Sequence, residues 1–392
     1  MQKRWKLYLF FSIFFLLLVA CQQNQEQTET PIQVRNQEPY DSKTVQRQKT
    51  ELNKLYKKQT EKKKEQAKKF KRQEIRGIYL NPVAINQENI DKYVDLVKSS
   101  PRLNAVVFDL KDDNGRLTYQ SNVNLVNEIG ADKDAVIDDL ESFIQRLKDE
   151  GIYTIARIVT FKDPYLAEKK PEWALQNRNG SPWIGPNGIK WIDPYKEEMW
   201  DYIFNIVEEI AQSGIDEIQY DYIRFPENAV KVDQQVQYAN NENLSKGDLI
   251  EKFLIEQRER LSNYPVLISA DVFGLVTSSA DDMGIGQRWE EFSPYVDFIS
   301  PMTYPSHYSA NNYGLPNPNN QPYELIKAAM EDAIERNEKL KEKHHKVATI
   351  RPWLQDFGYT KDQVLKQIKA LNDLGINEYL LWNSGSDYTP LD

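Results

Sequence analysis

Eight short apolar runs, each followed by an amphipathic stretch, organise the chain from Arg76 onward and restrict its fold more than any other feature. The runs cover residues 76–81, 105–112, 153–160, 217–225, 266–274, 298–305, 347–355 and 378–384. Helical patterns fall between them at 90–98, 136–150, 197–212, 249–261, 323–336 and 361–374. The second, third and last of these run out at Gly151, Gly214 and Gly375. Strands that alternate with helices pair in parallel, because a parallel neighbour is reached only through a crossover. Eight such units predict an α/β fold, a closed (β/α)8 TIM barrel over residues 74–392. No fixed-period repeat is present.

Barrel strands are covered by helices outside and packed side chains inside, so polar residues within them are expected to face the axis. Period-2 alternation assigns Asp109 and Lys111 to the second strand's inward face, Arg157 to the third's, and Gln219 and Asp221 to the fourth's. The same rule adds Ser269 and Asp271, Ser300 and Tyr304, Arg351, and Trp382 from the fifth to eighth strands. Nearly all lie in the C-terminal halves of their strands, the rim where barrel enzymes assemble their sites.

Three carboxylates and two guanidinium groups on one rim suit glycosidic cleavage. One carboxyl protonates the leaving oxygen while another attacks the anomeric carbon or activates water. Asp221 is expected as nucleophile or base and Asp271 as proton donor, with Asp109 as an alternative donor or a ligand for a sugar hydroxyl. Arg157, Arg351, Gln219 and Lys111 are expected to bind substrate. Tyr304, Trp353 and Trp382, together with Trp173, Trp183, Trp191 and Tyr308, supply flat rings for stacking on pyranose faces, with about half of such rings touching substrate. Segments 161–194, 281–287 and 311–322 are read as walls or lids of the site.

Other chemistries have less support. The three histidines, His307, His344 and His345, lack zinc-site spacing, and no cofactor or metal is expected. Phosphate-binding loops and a Gly-x-Ser-x-Gly elbow are absent. Residues 111–115 (KDDNG) read as a tight turn rather than a calcium loop.

The N-terminus predicts an address. Lys3, Arg4 and Lys6 precede an apolar run ending Leu18-Val19-Ala20-Cys21, which resembles a bacterial lipobox, so residues 1–20 are read as a lipoprotein signal peptide and Cys21 as the lipidation site. Cys21 is the chain's one cysteine, which excludes an internal disulfide. Residues 21–73, rich in Gln, Lys and Glu, are expected to form a polar, partly helical or disordered tether. Residues 1–20 contribute +3 and residues 22–73 contribute +7 to the net charge of −9, leaving −19 for the remainder. A body this acidic disfavours nucleic acid as a partner. A monomer on the extracytoplasmic face of a bacterial membrane, held by its lipid, is expected.

The segments AVVFDLKDDNGRLTYQS, GIYTIARIVTFKDPYLAEKKPEWA, IDEIQYDYIRFP, ISADVFGLVTSSADDMGIGQRWE, DFISPMTYPSHY, IRPWLQDF and INEYLLWN together resemble a bacterial glycoside-hydrolase-like barrel family of secreted and lipid-anchored proteins. The resemblance spans residues 75–390. It implies a TIM barrel, a polysaccharide or glycoconjugate substrate, and a site built on the acidic fourth- and fifth-strand motifs. A more distant likeness is to amylase-type barrels, with an Asp nucleophile after the fourth strand and a Glu acid after the fifth. Asp221 matches the first position. Asp271 stands where that pattern has Glu and Gln219 where it has Arg, and Asp356 is the third carboxylate the likeness implies. The expected function is hydrolysis of an extracellular or cell-wall polysaccharide. The alternatives are a non-catalytic carbohydrate-binding or wall-organising lipoprotein and an exported barrel that processes peptide or amino-sugar decorations.

Overall fold

The structure, a computed structural model, describes residues 74–388, 390 and 391. The signal peptide, Cys21 and the tether lie outside the described residues. Strands β1 (Arg76–Leu80), β2 (Ala105–Lys111), β3 (Tyr153–Val159), β4 (Glu217–Asp221), β5 (Leu267–Phe273) and β6 (Phe298–Met302) pair in parallel in that order. The seventh strand, β7, comes in two pieces, Thr349–Ile350 and Trp353–Gln355, and β8 (Tyr379–Trp382) returns to β1. Both pieces of β7 reach β6, through Phe298↔Thr349 and Trp353↔Met302, which closes the barrel. Pro352 explains the break: it has no N–H for the ladder, while its carbonyl still accepts from Leu380 at 3.0 Å.

The crossovers carry helices α1 (Ile90–Ser99), α2 (Leu140–Asp149), α3 (Trp200–Gln212), α4 (Lys246–Arg260), α5 (Pro322–Lys341) and α6 (Lys361–Asp373). Between β5 and β6 the chain makes only two short helical turns, Gly274–Thr277 and Trp289–Phe292. Local chemistry sets the helix ends. α2 starts at Leu140 rather than 136 because Asp139 caps it, its carboxylate accepting from Ser142 N–H at 3.0 Å. Ser245 does the same for α4, and Thr360 with Gln363 forms a capping box on α6. α3 buries Trp200, Ile203, Phe204 and Val207 against the sheet, with Trp200 and Phe204 packed on Phe253 of α4.

Two features depart from simple alternation. β2 carries a bulge between Asp109, level with Arg157, and Lys111, level with Ile158. The extra residue moves Lys111 to the opposite face, away from the axis, where a fully buried ion pair with Asp163 (2.7 Å) and the Val159 carbonyl (2.8 Å) satisfy its ammonium. β4 stops four residues before the apolar run does, at Asp221, because Tyr222 takes φ 48°.

Candidate active site

The barrel interior is layered. In the lowest layer Glu217, the first residue of β4, pairs bidentately with Arg351 and accepts from Ser269 and Tyr153. Gln219 lies one layer above, its amide reaching Ser300 Oγ at 3.4 Å. Asp221 and Asp271 form the top layer, where a cavity of about 540 Å³ opens.

The left-handed turn at Tyr222 is a conformation that costs a bulky residue about 1–3 kcal/mol. It is held by its own N–H donating to Asp221 Oδ1 (2.6 Å) and by Thr160 and Phe161 N–H donating to the Asp221 and Tyr222 carbonyls. Arg157 fixes the other carboxylate oxygen: its Nε and Nη2 donate to Asp221 Oδ2 at 2.9 and 2.6 Å. This donor set suits a carboxylate.

Arg157 also donates to Asp109 Oδ1 (2.6 Å) and, through both Nη atoms, to Asp113 Oδ2 (3.1 Å each). Burial opposes its charge, but Asp109, Asp221 and Asp113 outweigh burial and hold the guanidinium firmly protonated. Asp109 sits behind Arg157 and accepts the Tyr79 hydroxyl at 2.6 Å. Burial lifts its carboxyl to about 6, with Arg157 and Tyr79 limiting the rise. Burial would lift Asp113 too, but Arg157 and Lys162 (Nζ to Oδ1, 2.8 Å) more than offset it and hold the group down at about 2.

Asp271 occupies the opposite kind of place. It is 1% exposed and its Oδ1 accepts the Trp353 indole N–H at 2.7 Å. Burial first, and the neighbouring Asp221 charge second, push its carboxyl well above the usual range. The two carboxyls line one cavity in contrasting surroundings: Asp221 accepts from Arg157 and the Tyr222 N–H, whereas Asp271 accepts from the Trp353 indole and is desolvated.

Aromatic rings complete the wall: Tyr222, Phe273, Tyr304, Tyr308, Trp353 and Trp382. Trp382 stacks on Tyr79 (4.2 Å between centroids) and meets Trp353 edge-on (5.5 Å). Arg224 is 3% exposed, packs its guanidinium on Phe273, Tyr222 and Trp191, and donates to Glu227 Oε1 at 2.6 Å; it and Glu227 both line the cavity.

Of the residues expected from sequence, Asp221, Asp271, Arg157, Tyr304, Trp353 and Trp382 come together on the cavity wall, and Asp109 supports it from behind Arg157. Lys111, Gln219 and Arg351 do not reach it. The bulge turns Lys111 outward, Gln219 lies beneath the floor, and Arg351 is consumed by Glu217. Trp183 and Trp191 are buried in the loop framework, Trp183 donating to Gln235 Oε1, and neither they nor Trp173 line the cavity. Asp356 is buried beyond β7 and is not on the wall.

Tyr79, Asp113, Arg224 and Glu227 are site residues that alternation did not identify. Tyr79 does alternate with Leu80, but a tyrosine in an apolar run carries no polar signal. The other three lie beyond strand ends, where period-2 reasoning stops.

Comparison with known proteins agrees with this architecture. No curated protein matches the chain. A hypothetical protein of known structure from Ruminiclostridium thermocellum is 35% identical, covering 53% of this chain and 98% of that one, at a TM-score of 0.45. The glycoside hydrolase domain of PgaB (BpsB) from Bordetella bronchiseptica aligns at 16% identity over 80% of this chain and 94% of its own, with a TM-score of 0.56. The α-galactosidase TtGalA from Thermus thermophilus, in complex with stachyose, aligns at 11% identity over 81% of this chain and 62% of its own, with a TM-score of 0.50. At such identities the last two speak to the fold alone, a (β/α)8 barrel. A family model matches residues 77–388, nearly the whole barrel, and the chain therefore belongs to the family described as "Putative glycosyl hydrolase domain".

Proposed function

We propose that the barrel hydrolyses glycosidic bonds in an extracytoplasmic polysaccharide or glycoconjugate, with Asp271 as acid and Asp221 as nucleophile, and that Cys21 anchors the chain by lipid on the outer side of a bacterial membrane. The observation that carries the reading is the contrast between the two carboxyls: Asp221 is clamped by Arg157 and Tyr222 N–H, whereas Asp271 is desolvated beside it. Asp271 passes its proton to the leaving oxygen as the C1–O bond breaks and an Asp221 oxygen bonds C1. A water then gives its proton to Asp271 and displaces Asp221, which releases the sugar. Tyr220 pairs with Ala270, so Asp221 and Asp271 follow side by side on neighbouring strands. Strands lie about 4.8 Å apart. Carboxyls carried side by side on adjacent strands are expected nearer the about 5–5.5 Å separation of retaining enzymes than the about 6.5–9.5 Å of inverting ones. The family and the ring-lined cavity support the same reading.

Reducing-end release from a panel of wall and secreted polysaccharides, assayed with the full chain, tests it. Asp221→Asn and Asp271→Asn are expected to cut turnover by at least about 10²-fold while retention on a glycan gel persists. NMR should show net retention at the anomeric carbon. Wild-type rates in both variants would remove the assignment, and retention without release from any glycan would leave a binding protein.

A further inference from the structure

Asp113 has a place in the cavity that neutralising Arg157 does not require. Arg157 already faces two carboxylates, Asp109 and Asp221, so a third is surplus for neutralising it. The turn bearing Asp113 is nonetheless tightly built. Asp112 Oδ1 accepts the N–H groups of Asn114 and Arg116 (2.9 and 2.8 Å), and Gly115, at φ 81°, lets the chain pass where a Cβ would stand 1.9 Å from Asp163 Oδ1. Two cations from β3 and its exit hold the carboxylate, Arg157 on Oδ2 and Lys162 on Oδ1. A carboxylate has about four acceptor sites, and three donors leave about one. The Asp113 side chain is 37% exposed on the cavity wall, against 3% for Asp109. Held well below the usual carboxylate range, it is an acceptor only.

Its distance from Asp221 is bounded. Arg157 Nη2 donates to Asp221 Oδ2 at 2.6 Å and to Asp113 Oδ2 at 3.1 Å, so the two acceptors lie at most 5.7 Å apart. A nucleophilic oxygen waits about 3–3.5 Å from the anomeric carbon, and an O–H···O bond spans about 2.7 Å. The sugar hydroxyl nearest that carbon is the one on C2.

We propose that Asp113 is a substrate-binding, specificity-determining residue that accepts a hydrogen bond from the C2 hydroxyl of the sugar unit on which Asp221 acts. The proposal rests on the hydrolase reading above. Asp113 thereby selects sugars with a donor at C2, and because Arg157 ties it to Asp221, the hydroxyl and the anomeric carbon are positioned by one rigid fork.

The full chain is assayed on 4-nitrophenyl α- and β-glycosides of glucose, galactose, mannose, glucosamine and N-acetylglucosamine, and on the 2-deoxy counterparts of the first two. Asp113→Asn is expected to lower kcat/KM on the C2-hydroxyl substrates about 10- to 100-fold and on the 2-deoxy counterparts less than about 3-fold, so the preference for the hydroxyl falls. The preference is a ratio within one sample, so a misfolded fraction cancels. Lys162→Gln, which keeps Asp113 but removes its second anchor, is expected to reduce the same ratio more mildly and serves if Asp113→Asn does not fold. Equal losses on both substrate types would make Asp113 merely structural and overturn the proposal while leaving the hydrolase reading standing. No cleavage of any glycoside by the wild type would bring both down together.

Discussion

Asp109 and Asp271 are carboxylic acids placed where water cannot solvate their charge, and each is kept for what surrounds it. Asp109 holds Arg157 and Tyr79 in place, and Arg157 in turn holds Asp221. Its folded-state value of about 6 lies above the ordinary 3.8, so the folded protein binds that proton more tightly than the unfolded chain does. The stability it contributes is therefore full below about pH 4 and is withdrawn as pH rises through about 6, a change of up to roughly 3 kcal/mol. Asp109→Asn, which has no proton to lose, is expected to show a smaller fall in denaturant-measured stability between pH 4 and pH 7 than the wild type. An equal fall in both would mean that Asp109 is not desolvated. Tyr304 shows the same logic in a phenol: burial, then Asp271 and Asp221, keep it neutral.

At the scale of elements, the strand ends and their turns decide what the cavity contains. The bulge in β2 sends Lys111 outward to Asp163 while leaving Asp109 facing in, and the following turn closes over that buried pair. Asp163 also caps the short helix Pro164–Lys169 through Leu166 N–H (2.7 Å), so one carboxylate ties the β2 turn to the β3 exit. Gly115→Ala adds a Cβ against Asp163 at a left-handed φ and is expected to cost about 2–4 kcal/mol. Gly375→Ala, also left-handed at φ 75° but with nothing within 4 Å, is expected to cost about 1–2 kcal/mol. Urea unfolding of the pair distinguishes a steric site from a merely conformational one, and matching losses would show that the turn yields without disturbing Asp163.

At the largest scale, the described residues form a closed barrel with the candidate site at one end, and residues 74–392 carry a strongly acidic balance. The −19 carried by residues 74–392 favours neutral or cationic polymers over anionic ones at a distance. The barrel is expected to bind chitosan oligomers more tightly than polygalacturonate oligomers of equal length at pH 6 and low salt. The gap should shrink as salt rises and the Debye length falls from about 30 Å at 0.01 M to about 3 Å at 1 M. Calorimetric titration at two salt concentrations checks this, and tighter binding of the polyanion would show that local cavity charges outweigh the global field. Among the described residues no helix is long and apolar enough to cross a membrane.

The eight strands, their parallel order and the inward facing of Asp221, Asp271 and Arg157 were legible from sequence, because periodicity and burial are local properties that each strand carries on its own. Asp139 and Ser245 set helix starts at 140 and 246 through hydrogen bonds within one turn, where the apolar pattern had placed them at 136 and 249. Which inward groups meet was decided only in three dimensions. One bulge reversed Lys111, the level of Glu217 claimed Arg351 for the barrel floor, and loops from separate crossovers brought Asp113, Arg224 and Glu227 to the cavity. Side-chain pairing depends on register and height along the axis, and these quantities belong to the closed sheet rather than to any segment of chain.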